Sequence, residues 1–153
     1  MKTIRVGSAI ALSMGMATGC VAAGAQAAPV SSGSEVLSQA KVYAADQTPV
    51  NKSANGTESR SVLRGTLTTG ESVAAHESVQ PVGAAPVALH AIHHSELIVV
   101  REGEVMFDHD GTSEKAGPGD VIYVAKDTVH RVRNVGTVPA KYMVIAIGGD
   151  VKK

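Results

Sequence analysis

From about residue 60 onward, apolar and polar residues alternate in short runs that recur roughly every ten residues. Residues 61–67, 71–79, 96–101, 104–109, 120–124, 129–133 and 141–147 all follow this texture. A period of two is the period of a strand, which sends successive side chains to opposite faces. No window beyond the first 27 residues sustains a helical 3.6 period. Gly, Pro, Asp and Asn punctuate the runs, and Asp110-Gly111 is a strong signal for a two-residue hairpin. The pattern predicts about eight strands and an all-β sandwich or barrel.

The first half of the chain has a different character. Lys2 and Arg5 precede an apolar, small-residue stretch at 6–17, and Ala25-Gln26-Ala27 supplies a small-x-small exit before Ala28-Pro29. This reads as a secretory signal peptide, residues 1–27, whose apolar stretch is too short to span a bilayer comfortably. The expected location is therefore periplasmic or secreted. The run from Met16 to Cys20 resembles a bacterial lipobox, with Ala17 where Leu or Val is preferred. Membrane attachment would come only through a lipid on Cys20. Cleavage after Ala27 leaves no Cys, so disulfides do not bear on the compartment.

Residues 28–58 are rich in Ser, Ala, Gly, Asn and Thr. Such a composition buries too little surface to offset ordering entropy. We expect a flexible or partly ordered segment there, with one edge strand at Val42-Tyr43-Ala44, and a β domain over 59–150. Beyond residue 27 the chain carries 12 basic and 14 acidic residues, and aromatics make up only 3% of the whole. No basic patch is evident, so a nucleic-acid partner is not expected.

The candidate chemistry is concentrated in two places. Three histidines and a glutamate fall between His90 and Glu96, and His130 stands alone on a strand between Val129 and Arg131. Imidazoles with a carboxylate suit first-row divalent metals. On a straight strand His90, Ile92, His94 and Glu96 would share one face, and a bend at His93-His94 would break that parity. The bland reading is that each His is simply a satisfied polar residue. His76 is expected in the core or on the surface, with the barrel mouth as an alternative. His109 is expected to be exposed at its hairpin. Tyr123 and Tyr142 are expected to pack in the core with hydrogen-bonded hydroxyls. Arg131 and Arg133 are expected to form a solvated face. There is no Ser/His/Asp order and no phosphate-binding loop.

Together these residues resemble the cupins, small jelly-roll barrels of the double-stranded β-helix type. The first cupin motif is G-x5-H-x-H-x3-E-x6-G, and His90, Glu96 and Gly103 fall in register with it. The second is G-x5-P-x-G-x2-H-x3-N, matched by Gly119, His130 and Asn134. The departures are Ile92 at the second His, Gly83 one residue from the opening Gly, and Ala125 and Asp127 at the Pro and Gly of the second motif. The resemblance implies a divalent transition metal (Fe, Mn, Ni, Cu or Zn) held by His90, Glu96 and His130, with His94 as the substitute for the imidazole lost at Ile92. Two His and one carboxylate match the facial triad of non-haem iron oxygenases and leave coordination positions open.

Two functions remain open on this reading. One is a metal-dependent enzyme acting on a small molecule, such as an oxygenase or isomerase. The other is a non-catalytic barrel that binds a small ligand or serves a structural role with a degenerate metal site. A homodimer is implied by the resemblance alone.

Overall fold

A computed structural model describes residues 35–149 and residue 151. The signal-peptide stretch and Cys20 lie outside the described residues. Eleven strands are present among them: β1 (Val36–Leu37), β2 (Asn51–Lys52), β3 (Glu58–Leu67), β4 (Ser72–Gln80), β5 (His90–Ala91), β6 (Ser95–Glu102), β7 (Val105–His109), β8 (Thr112–Ala116), β9 (Val121–Val124), β10 (Val129–Asn134) and β11 (Ala140–Ile147). They form two sheets. One has the order β1-β3-β4-β11-β6-β9, with β2 also on β3, and the other has the order β5-β10-β7-β8. Every pairing is antiparallel except β1 on β3. This is the all-β architecture that the strand pattern predicts, in the jelly-roll form that the cupin resemblance implies.

Burial alternates along the strands, as a period of two requires. Ile98 and Val100 on β6, Ile122 and Val124 on β9, and Tyr142 and Val144 on β11 face inward. They meet Val105, Phe107 and Val132 from the other sheet in one apolar cluster. At roughly 25 cal/mol per Å² of apolar surface, such a cluster is the main stabilising term of the fold.

The turns are built as their residues dictate. Asp110 and Gly111 both have positive φ, 45° and 77°, and join β7 to β8 through a two-residue loop. That backbone matches the twist of the flanking strands. Gly103 ends β6 at φ 74°, and a Cβ there would stand 2.7 Å from the Pro139 carbonyl oxygen. Asn134 donates to the carbonyls of Gln80 and Val138 and accepts from the Gly136 N–H, so it clamps the turn between β10 and β11.

Several local expectations are corrected. Val42, Tyr43 and Ala44 form no strand, and Val42 is almost fully exposed. The segment before residue 58 instead contributes β1, β2 and a 3-10 turn at Ala45–Gln47. Tyr123 is exposed because Ile122 and Val124 take the inward parity of β9. His109 is half-buried, since its ring stacks on Phe107 with centroids 4.4 Å apart and its Nε2 bonds Glu114 at 2.7 Å. Arg131 and Arg133 are not merely solvated. Both donate to Asp108, at 2.7 and 2.8 Å, and Ser113 donates to its other oxygen. These partners hold the Asp108 carboxyl well below the usual carboxylate range, with the Arg133 hydrogen bonds the largest cause.

Candidate metal centre

The chain crosses from one sheet to the other between β5 and β6, where His93 and His94 form a bend. His90 therefore stands on one wall of the barrel and Glu96 on the facing wall, although only five residues separate them. The bend, not strand parity, decides where this motif points.

His90 and His130 are direct cross-strand partners. Their ring centroids are 4.8 Å apart. His90 Nδ1 lies 3.2 Å from the Ala88 carbonyl oxygen, and His130 Nδ1 lies 3.0 Å from that of Thr128. A carbonyl can only accept, so each Nδ1 is the donor, and Nε2 is the ring nitrogen left for a ligand. This is how ligating imidazoles are commonly fixed in orientation and tautomer.

Glu96 supplies the carboxylate. Its Oε2 lies 3.9 Å from His130 Nε2, and its Oε1 accepts from His94 Nε2 at 3.1 Å. Two ligand atoms each about 2.1 Å from one ion stand roughly 3 to 4 Å apart, so 3.9 Å suits a shared ion. His130 is nearly fully buried and Glu96 mostly so, which shields their interaction from solvent. Among the described residues, no three His, Cys, Asp or Glu side chains yet converge as a complete ligand set.

The expected residues thus divide. His90, Glu96 and His130 line one cavity of about 230 Å³. His94 reaches the site through Glu96. Ile92 packs against the apolar core, filling with methyls the place of the second motif histidine. His93 is exposed, and its Nδ1 bonds Asp127 at 2.6 Å. Asp127 adopts φ 66°, the left-handed conformation that the motif glycine would supply, and its N–H donates to the Ile92 carbonyl. An Asp tolerates that conformation better than most residues, so the turn before His130 survives the loss of Pro and Gly.

The same cavity is lined by His76 on β4, expected in the core or on the surface with the barrel mouth as the alternative. Its signal was parity. His76 shares the inward face of β4 with Ser78 and Gln80, both buried. Burial is the largest cause of its lowered pKa, opposed by the Glu96 charge and reinforced by Arg64. His76 is therefore a neutral imidazole at pH 7. Below the histidines, Gln80 Nε2 donates to the Tyr142 hydroxyl at 2.9 Å. Burial pushes that hydroxyl up to about 12, so it stays protonated. Thr57 Oγ1 also lines the cavity and is buried without a hydrogen-bond partner among the described residues. A larger depression of about 630 Å³ lies elsewhere, along β8 and β9, and its only lining histidine, His109, is held by Glu114.

The family model described as Cupin domain matches residues 75–146. Those residues form a cupin domain. An RmlC-like cupin from Shewanella frigidimarina has the same fold, with a TM-score of 0.60 at 19% identity, covering 74% of this chain and 96% of that one. A structure described as a predicted oxalate decarboxylase from Thermotoga maritima gives a TM-score of 0.59 at 17% identity, covering 70% of this cupin and 98% of that chain. An uncharacterised protein of Methanocaldococcus jannaschii is 26% identical over 89 residues, 58% of this cupin and 71% of the relative. The structural likenesses show the fold.

Proposed function

We propose that this cupin binds one divalent transition metal ion, Fe, Mn, Ni, Cu or Zn, through His90, Glu96 and His130. The observation that carries this reading is the pair of Nδ1–carbonyl hydrogen bonds that leave the exposed His90 and the buried His130 each with Nε2 as the donor atom. When bound, the ion would supply Lewis-acid or redox chemistry to a small oxygenated molecule in the cavity. The chain's own groups would do the rest. His94 steadies Glu96, Tyr142 and Gln80 offer hydroxyl and amide contacts, and Ile98, Val132 and Val144 exclude water. Such a cavity fits only a small substrate.

The test is elemental analysis of the purified protein beside a His130→Ala variant. About one equivalent of metal per chain, lost in the variant, is the expected result. Failure to take up any of these ions after loading and desalting would sink the reading.

A second reading is favoured by Ile92 and Thr57. Ile92 removes one ligand by packing against the core, and Thr57 Oγ1 has no hydrogen-bond partner among the described residues. A metal-free barrel that binds a small polar molecule would explain both. Native mass spectrometry of the purified protein for a retained organic ligand separates this reading from the first.

The same proposal places the protein outside the cytoplasm, on the strength of Lys2, Arg5, the apolar stretch and the Ala25-Gln26-Ala27 exit. It also takes the barrel to act as a homodimer. N-terminal sequencing of the exported product and light scattering check these two points.

A further inference from the structure

We propose that His76 supplies the imidazole that Ile92 has removed, so that the ion is held by three histidines and one glutamate drawn from four strands. This inference rests on the metal-binding reading above. In the motif, two imidazoles come from one short strand, and Ile92 leaves only His90 there. His76 comes from the opposite sheet.

The placement is specific. His76 is level with Val144 on β11, and Val144 is level with Ile98 on β6. Glu96 sits two residues earlier on β6, so it occupies the next inward-facing position. β4 and β6 are separated only by β11. Two strand spacings are about 10 Å, a gap that an imidazole, an ion and a glutamate side chain can together span. His76, His90, Glu96 and His130 line one cavity. His76 lies near enough to Glu96 for the carboxylate charge to act on its ring. Its ring nitrogens have no hydrogen-bond partner among the described residues. A polar ring turned into a cavity without such a partner needs a ligand or water to satisfy it. His94 is placed differently. Its Nε2 is already engaged on Glu96 Oε1, beside the carboxylate, where it orients a ligand.

The experiment counts nitrogens. The full chain, stripped and reloaded with one equivalent of Cu(II), is examined by pulsed electron paramagnetic resonance, which resolves the number of bound imidazoles. Zn(II) affinity is measured in parallel by competition with a chelator. His76→Ala, His76→Gln, His94→Ala and His130→Ala are compared, and each metal-free variant is melted to confirm that it folds. We expect three imidazoles in the parent protein and two in both His76 variants. The Zn(II) affinity of the His76 variants should fall by roughly 100-fold, whereas His94→Ala should keep three imidazoles. Three imidazoles in the His76 variants, or the loss of one in His94→Ala instead, would overturn the assignment of His76 while leaving the metal site intact. Loss of metal in His130→Ala alone would do the same. A parent protein that takes up neither ion would overturn the metal reading itself and this inference with it. His76→Gln covers the case in which the Ala variant unfolds.

Discussion

His90 and His130 face each other across the β5–β10 pair, ring centroids 4.8 Å apart, with each Nδ1 on the carbonyl two residues before it. The two imidazoles are thus oriented by their own backbone. Neither depends on a distant carboxylate to fix its tautomer, so single changes elsewhere should leave them ligand-competent.

Replacing Ile92 by His tests the consequence of the missing ligand. Ile92→His adds an imidazole at the motif position, and metal affinity should rise by on the order of tenfold or more. The cost is the apolar packing of Ile92, about 1 kcal/mol for a partly buried side chain. A chelator competition titration and a thermal melt of the metal-free protein read the two effects separately.

Asp127 holds the turn that delivers His130. Asp127→Ala keeps the backbone N–H to Ile92 but loses the His93 contact and places an Ala at φ 66°. The expected loss of stability is about 1 to 2 kcal/mol. Asp127→Gly, which is free to adopt that φ, should lose less. Urea unfolding of the two variants side by side gives the ordering, and equal losses would mean that φ does not govern this turn.

Asp108 gives a pH dependence with a definite sign. Its carboxyl is held below its ordinary range by Arg133, Ser113 and Arg131. A depressed folded-state pKa stabilises the fold above the unfolded value and is lost as pH falls toward the folded value. Asp108→Asn should therefore cost about 2 kcal/mol near pH 7. The gap between the variant and the parent protein should narrow once the pH drops below about 4. Melting curves at pH 7 and pH 3 measure it, and a gap that widens on acidification would contradict the pairing.

Gly103 should tolerate no side chain. Gly103→Ala combines φ 74° with a Cβ that would stand 2.7 Å from the Pro139 carbonyl oxygen and 2.8 Å from Ala140 Cα. The strand end must shift, at a cost of about 2 to 4 kcal/mol. Gly111→Ala has a positive φ but nothing within 4 Å of the added Cβ, so it should cost only about 1 kcal/mol. The difference in melting temperature between the two variants isolates the steric part.

The sequence by itself determined the strands and most of their inward faces. Val132 stands between Arg131 and Arg133, and the short apolar runs at 97–100 and 142–147 are rich in the β-branched residues that strands favour; a strand has only two faces to offer. The hairpin at Asp110-Gly111 and the closing glycine at 103 were legible for the same local reason: few residues adopt positive φ. The pairing of His90, Glu96 and His130 was legible through the two cupin motifs. Tertiary structure decided what local pattern could not. The bend at His93-His94 moves the chain from one sheet to the other, so Glu96 faces His130 and does not lie beside His90. His76 sits on a strand fourteen residues before His90, and only the pairing of β4 with β11 brings it to the same cavity. Strand periodicity reports which face a residue takes. Which residues meet across a barrel depends on sheet order and register, and those are set by contacts distant in sequence.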